Sequence, residues 1–401
     1  MIHSLGSWKR SITVFATICG AVGTPVVLKF SQAPFAWIFS AGGVIALAWT
    51  LVSHSTFRRV FLVNLGVILI TLAGIEGFFY SKHAASEAAA TIFSTKAAYR
   101  IPHPILDVIP RPGVVTTATQ HHGDTLDFEV TYTIDENGLR VSPPTQSSTH
   151  EQCLLFMGCS FTYGHGLNDE DTLPYQTGLK TQGQYQIFNF GFSGYGAHHM
   201  LAQLQEGSVE KITKCRPKAV IFSALPHHVM RSAGTLTWAF GPRYKLSEDG
   251  SLRFTGLLSR FRESSGFQQS RLLSQLTKSH IIREMQEHES YSREDVELYI
   301  RIVKESERLV REKFPGASFD VLLWDDVPNG ETSLYSQVRK GMVSAGMTVH
   351  HVPDILPHYR EDPIHYAINK FDRHPNAIAN RTLADYVVNR MLKNSGSVDR
   401  E

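Results

Sequence analysis

A serine, a histidine and an aspartate, the first more than two hundred positions from the other two, are the residue types in this chain that together could break an ester. Ser160 stands in Gly158-Cys159-Ser160-Phe161-Thr162-Tyr163-Gly164, directly behind the apolar run Cys153 to Met157. A serine at the junction of a strand and a coming helix lies at the strand's carboxyl edge, and glycines at 158 and 164 let the backbone turn tightly around it. Its hydroxyl is a weak nucleophile until a base takes the proton. His374 can be that base. It lies in Asp372-Arg373-His374-Pro375-Asn376, a loop ahead of the amphipathic segment Asn376 to Met391, with Asp372 placed to orient the ring and stabilise the imidazolium. Each cluster alone has a plainer reading, because Ser, Asp and Asn also cap helices through local backbone hydrogen bonds.

The elements that must position these groups follow from the apolar pattern. Cys153 to Met157, Tyr185 to Phe190, Ala219 to Ala224, Phe319 to Trp324 and Met347 to Val352 are short apolar runs separated by segments long enough for helices. This alternation predicts an α/β fold, a parallel sheet with helices on both faces. The clearest helix runs from Arg293 to Phe314, with Val296, Tyr299, Ile302, Val303, Leu309 and Val310 near helical spacing and Ser292 as N-cap. In open sheets of this kind ligands bind beyond the carboxyl ends of the strands, where Ser160 and His374 both fall. Ahead of this region, residues 101–148 read as a small β-rich segment in which Leu126, Phe128, Val130, Tyr132 and Ile134 alternate before an Asn137-Gly138 turn. Arg140, just after that turn, reads as a solvated hairpin arginine. Residues 81–100 read as a helical or flexible stalk.

With two such blocks on one α/β pattern, the chain resembles the SGNH or GDSL-type hydrolases. Members of that family carry a Gly-x-Ser block after the first strand, a glycine block after the second, a Gly-x-Asn block after the third and an Asp/His block before the last helix. The first block here is Gly158 to Gly164, the second Asn189-Phe190-Gly191-Phe192-Ser193-Gly194-Tyr195-Gly196, and the fourth Asp372 to Asn376, so the resemblance covers about residues 150 to 393. It implies a three-layer, flavodoxin-like α/β domain over residues 149–395. It further implies Ser160 as nucleophile, His374 as general base and then acid, Asp372 as orienter, and the amides of Ser160 and Gly194 as oxyanion donors. Two departures stand out. One residue separates Asp372 from His374, where much of the family has two, and the third strand, Val220 to Arg231, lacks the oxyanion asparagine. Removing one such donor costs about 10²- to 10³-fold in rate. His228 is the favoured replacement, with His227, Arg231, Tyr195 and Trp238 as substrate contacts and an ion-pair role as the alternative for Arg231. The insertion from Ser232 to Gly266, with Trp238, Phe240, Arg243 and Tyr244, reads either as a lid or sugar-stacking wall or as its own small core.

Residues 1–80 read as a membrane anchor. Ile12 to Leu28, Ala33 to Ser53 and Val60 to Ile75 contain no Asp, Glu, Lys or Arg, and approach or reach the ~20 residues a spanning helix needs. Three uncleaved spans are expected, with Glu76 near the interface; a cleaved signal peptide is the rival for the first. Lys9 with Arg10 and Arg58 with Arg59 mark the cytoplasmic side, against single lysines at 29 and 82, which places everything beyond residue 82 outside the cytoplasm.

Over 401 residues, 39 Lys plus Arg nearly balance 37 Asp plus Glu, which leaves no basic footprint for nucleic acid. Four cysteines without a C-x-x-C pair write neither a disulfide scaffold nor a zinc knuckle. The 19 histidines lack H-E-x-x-H spacing, so the adjacent pairs at 121, 198, 227 and 350 read as surface or pocket residues and no metal or cofactor is expected. Cys159 reads as packed behind the serine turn. The expected function is a membrane-anchored serine esterase acting on O-acyl groups of envelope glycans or lipids. The alternatives are an O-acyltransferase working with a membrane-protein donor partner, and a non-catalytic glycan-binding protein.

Overall fold

The computed structural model describes residues 34–53, 55–87, 91–143, 151–234, 240–260, 279–282, 291–324 and 334–394. They fall into two compact units, Met1–Ala89 with Gly266–Glu289, and Ala90–Ser265 with Ser290–Glu401. The expected span Ile12 to Leu28 and the candidate contact Trp238 lie outside the described residues.

In the first unit, α1 (Pro34–Val52) and α2 (Thr56–Glu87) pack against each other. Gly43 and Gly66 sit at the closest approach, where a Cβ on either would press into the other helix. Small residues of this kind let apolar helices meet closely. Among the described residues one helix is long and apolar enough to cross a membrane, Thr56–His83 in α2. The apolar part of α1, Ile38–Leu51, is about 21 Å long at 1.5 Å per residue, short of a ~30 Å hydrocarbon core. Among the described residues, therefore, multiple spans are not supported: of the expected Ala33 to Ser53 and Val60 to Ile75, only the second falls in a helix long and apolar enough. Glu76 is fully buried and accepts hydrogen bonds from Ser279 Oγ (2.7 Å), His280 N (2.6 Å) and Ile281 N (3.1 Å). A carboxylate inside an apolar helix needs such donors, because burying it unpaired is costly.

The second unit opens with antiparallel structure. β1 (Thr91–Thr95), β4 (Val115–His122) and β5 (Thr125–Thr133) form one sheet in the order β1-β4-β5, and β2 (Arg100–His103) pairs with β3 (Asp107–Pro110). The expected stalk thus ends in paired strand, with Ile92 opposite His121. Register in the β4–β5 pair shifts between Gln120↔Phe128 and His121↔Leu126, so Asp127 is an extra, bulged residue. The shift breaks the expected alternation. Phe128, Val130, Tyr132 and Ile134 face the core, but Leu126 is 52% exposed.

The α/β core matches the expected class. β6 (Gln152–Met157), β7 (Gln186–Asn189), β8 (Arg216–Ala224), β11 (Ser318–Leu323) and β12 (Thr348–His351) form a five-stranded, all-parallel sheet in the order β12-β11-β8-β6-β7. Counted from β6, this is the 2-1-3-4-5 order of flavodoxin-like sheets. Successive side chains on a strand point to opposite faces. Cys153, Leu155 and Met157 therefore join one core with α5 (Ala197–Gln205) and α7 (Arg293–Lys313), while Leu154 and Phe156 join another with α9 (Ala377–Tyr386). Helix α7 buries Val296, Tyr299, Ile302, Val303, Leu309 and Val310, the residues its sequence spacing selects, and Ser292 caps it through Asp295 N (3.1 Å). At the amino edge of the sheet Cys153 and Cys215 form a disulfide. The insertion after β8 holds a hairpin of β9 (Pro242–Leu246) and β10 (Leu252–Leu257).

Candidate active site

The serine turn is built from close approaches. Gly158 leaves β6 at φ +150°, and a Cβ there would lie 2.3 Å from Thr162 Oγ1, so glycine is required where the strand yields to the one-turn helix α3 (Ser160–Tyr163). Ser160 opens that helix. The second block is bonded to this turn: Phe192 N donates to Gly158 O (3.3 Å) and Asn189 Nδ2 to Thr162 O (3.1 Å). Gly194, at φ +92°, tops the loop of the second block beneath the Phe240 ring.

His374 arrives on a braced loop. Ile368 N donates to His374 O (2.9 Å), and Asn376 caps α9 through Ile378 N and Ala379 N while its own amide group holds the carbonyls of His365 and Ala367. The structure brings the three sequence candidates together. Ser160 Oγ lies 2.8 Å from His374 Nε2, and His374 Nδ1 lies 2.5 Å from Asp372 Oδ1. The short Asp-x-His spacing closes because Asp372 Oδ1 also accepts His374 N (3.0 Å), a local turn that points the carboxylate at its own neighbour's ring. Burial alone would raise the Asp372 pKa, but the hydrogen bond and charge of His374 outweigh it and hold the carboxyl well below the usual range. Ser160 and Asp372 are buried, whereas the His374 side chain is 27% exposed, so the imidazole is the part open to a substrate. His165, Asp372 and His374 place ligand-type atoms within 4.8 Å of one another. Asp372 Oδ1 and His374 Nδ1 are, however, hydrogen-bonded to each other at 2.5 Å, nearer than two separate ligands about 2 Å from a tetrahedral ion would sit.

Two residues beside this group escaped the sequence reading. Gln120 Nε2 donates to Asp372 Oδ2 (2.7 Å), and His165 Nε2 donates to Gln120 Oε1 (3.2 Å) with its ring 4.5 Å from that of His374. Burial first, then His374, pushes His165 down to about 3, so it is neutral near pH 7. Neither stands in a family-like block, and only pairing of the antiparallel sheet with the triad loop reveals them.

Arg140 is a correction. It is fully buried, not solvated: Nε bonds Asp169 Oδ1 (2.8 Å), while the two terminal nitrogens reach the carbonyls of Tyr163 (2.9 Å), Gly164 (2.5 Å), Leu167 (2.5 Å) and Thr131 (3.2 Å). Its guanidinium lies over the Tyr132 ring at 4.4 Å. The turn that follows Ser160 is thus tied to the antiparallel sheet.

The candidates around the third strand are placed differently from expectation. His228 is fully buried, with Nδ1 accepting from Leu225 N (3.4 Å) across the turn that begins α6 (His228–Ala233), and so has no face on solvent. His227 is exposed at the same strand end. Tyr195, expected to contact substrate, is buried: its hydroxyl donates to Val108 O (2.8 Å) and its ring stacks on His199 at 4.1 Å. Arg231 bonds Tyr195 O (2.6 Å) and so braces the loop that carries Gly194. The paired histidines 198 and 199 are core residues, not surface ones. His198 bridges Phe240 O (3.3 Å) and Ser232 Oγ (3.3 Å), and burial pushes its ring down to about 3. Burial likewise holds His199 and His228 well below the ordinary value. Within the insertion Tyr244 is buried and bonds Gln205 Oε1 (2.6 Å), so that residue belongs to a core and not to a lid.

No protein-family model and no curated protein matches the chain. Similar solved structures include a protein assigned to the lipolytic G-D-S-L family from Desulfitobacterium hafniense, at 10% identity and TM-score 0.34, covering 60% of this chain and 99% of that one. An acetyl xylan esterase from the rumen bacterium Butyrivibrio proteoclasticus matches at 12% identity and TM-score 0.34, covering 62% and 66% of the two chains. An SGNH-hydrolase family esterase matches at 16% identity and TM-score 0.30, covering 62% and 98%.

Proposed function

We propose that this protein is an SGNH-type serine ester hydrolase, anchored in a membrane by α2, with its catalytic unit outside the cytoplasm. The observation that carries the reading is the Ser160–His374–Asp372 relay, with contacts of 2.8 Å and 2.5 Å between side chains at the carboxyl edge of a 2-1-3-4-5 parallel sheet. His374 Nε2 takes the Ser160 proton as Oγ attacks the acyl carbon, and Asp372 stabilises the imidazolium that forms. The same imidazolium protonates the departing alcohol, leaving an acyl-serine that water then cleaves. The amides of Ser160 and Gly194 are the proposed oxyanion donors, and His227, exposed where His228 is buried, is the proposed third donor. Arg231 serves this site from behind, by holding the Gly194 loop.

Placement outside the cytoplasm is supported by charge and by covalent structure. Arg58 and Arg59 flank the start of α2 against Lys82 near its end, which orients the amino end of that helix toward the cytoplasm. The Cys153–Cys215 disulfide suits an oxidising compartment. From that position O-acyl groups of envelope glycans or lipids are the proposed substrates. The test is labelling of the detergent-solubilised chain with a fluorophosphonate. An adduct on Ser160, absent from Ser160→Ala and strongly slowed in His374→Ala, is expected; a folded parent that takes up no label removes the enzyme reading. Products formed from an aryl acetate with and without an added sugar acceptor then separate hydrolysis from acyl transfer.

A further inference from the structure

The antiparallel sheet does more than cover the α/β core. Its β4 and β5 strands reach the triad loop through a closed ring of side chains. Gln120 Nε2 donates to Asp372 Oδ2 (2.7 Å) and to Asp127 Oδ2 (3.3 Å). Asp127 Oδ1 in turn accepts Asn369 Nδ2 (2.8 Å), and Asn369 Oδ1 accepts the backbone amides of Phe371 (2.7 Å) and Asp372 (2.8 Å). The amide orientation of Gln120 follows from chemistry alone. Carboxylates only accept, so the NH2 end must face Asp372 and Asp127, and the remaining oxygen needs a donor. His165 Nε2–H supplies it at 3.2 Å.

We propose that Gln120 is a positioning residue of the active site, fixing the second oxygen of Asp372 so that the first stays aimed at His374 Nδ1, with His165 locking the Gln120 amide in the donating orientation. This rests on the ester-hydrolase reading above. A lone carboxylate on a surface loop can rotate about its Cβ–Cγ bond and offer either oxygen to the ring. Asp372 cannot do so without breaking the bond from Gln120. The neutral donor also satisfies the carboxylate without bringing in a second cation, which would compete with the imidazolium for the charge of Asp372. Catalytic geometry is sensitive at this level, since supporting groups that let a reacting constellation drift cost rate even though they never touch substrate.

The test uses the full-length, detergent-solubilised chain, p-nitrophenyl acetate turnover and the rate of fluorophosphonate labelling at Ser160. Gln120→Leu keeps the bulk and removes both polar ends; Gln120→Asn keeps the amide but withdraws it by one methylene, and serves if the leucine variant does not fold. Either is expected to lower kcat by about 10- to 100-fold, the range of one charge-assisted hydrogen bond, with KM within about twofold of the parent. The decisive readout is the Asp372→Ala background. There, Gln120→Leu or Gln120→Asn should cost less than about twofold more, because a residue that acts through Asp372 has nothing left to position. A multiplicative loss in that background, or a parental kcat in the single variants, overturns the proposal. A parent that leaves Ser160 unlabelled sinks the hydrolase reading and the proposal together; a labelled parent with unaffected Gln120 variants sinks the proposal alone.

Discussion

Arg140→Met removes the most heavily bonded side chain near the site while preserving much of its volume. In the parent the guanidinium satisfies the Asp169 carboxylate and the carbonyls of Thr131, Tyr163, Gly164 and Leu167. Without it those acceptors face an apolar chain in a buried setting. Breaking a buried pair by deleting one partner costs about 3–5 kcal/mol, a large part of the roughly 5–15 kcal/mol that holds a domain folded. At about 2–4 °C per kcal/mol, the expected fall in Tm is roughly 10 °C. The same bonds hold residues 163–167, which continue from the Ser160 helix and carry His165, so kcat measured well below the melting range should drop by about 10- to 100-fold. Arg140→Lys tests the geometry: one ammonium cannot reproduce a planar fork of five donors, and less than half of the lost stability should return. Differential scanning calorimetry with steady-state ester hydrolysis decides the matter. A methionine variant melting within about 2 °C of the parent, or a lysine variant indistinguishable from it, refutes the clamp.

Two further outcomes follow from burial and from covalent structure. His165, His198, His199 and His228 all have folded pKa values below the unfolded value near 6.5, so the unfolded chain binds protons the native state refuses. Stability should be complete above about pH 6.5 and decline as pH falls from there toward 3, by up to about 1.4 kcal/mol per pH unit for each ring; a urea midpoint that stays flat from pH 7 to pH 5 contradicts this. The Cys153–Cys215 bond closes a 62-residue separation, worth about 4 kcal/mol in chain entropy. Replacing both by serine should lower the urea midpoint yet leave kcat at 20 °C unchanged, because the bond lies at the sheet edge opposite Ser160, and mass spectrometry showing all four cysteines as free thiols in unreduced parent would remove the premise.

Much of the catalytic half was legible because its signals are local. Each strand of the parallel sheet is a short apolar run bounded by turns, and the amphipathic spacing of Arg293 to Phe314 selects the same residues that the helix buries. Ser160 and His374 were legible as partners because both fall at strand ends on one edge. What failed to show were contacts between distant segments. Gln120 reads as an ordinary strand residue until β4 is laid beside the loop at 369–374, and Arg140 follows an Asn-Gly turn, where solvent is the default environment. Tyr195 sits in a glycine block that resemblance makes functional, but its hydroxyl is taken by Val108 O. The histidine pair at 198 misled for a related reason: adjacent residues on a strand diverge, whereas both of these lie in α5 and are enclosed together. In the membrane region, counting charge-free stretches does not by itself separate α2, long and apolar enough to cross, from the shorter apolar helix packed against it.

The extra residue at Asp127 has a consequence for how this hairpin can vary. Were position 127 deleted, β4 and β5 would zip as a regular ladder with nothing obviously wrong, Leu126 staying opposite His121 on the outer face and Phe128 opposite Gln120 on the inner one. The carboxylate that holds both Gln120 and Asn369 would be gone, however, and with it the link from hairpin to triad loop. The irregularity therefore acts as a spacer of one residue: a shorter hairpin could still fold, while the distance across which it steadies Asp372 would no longer be spanned.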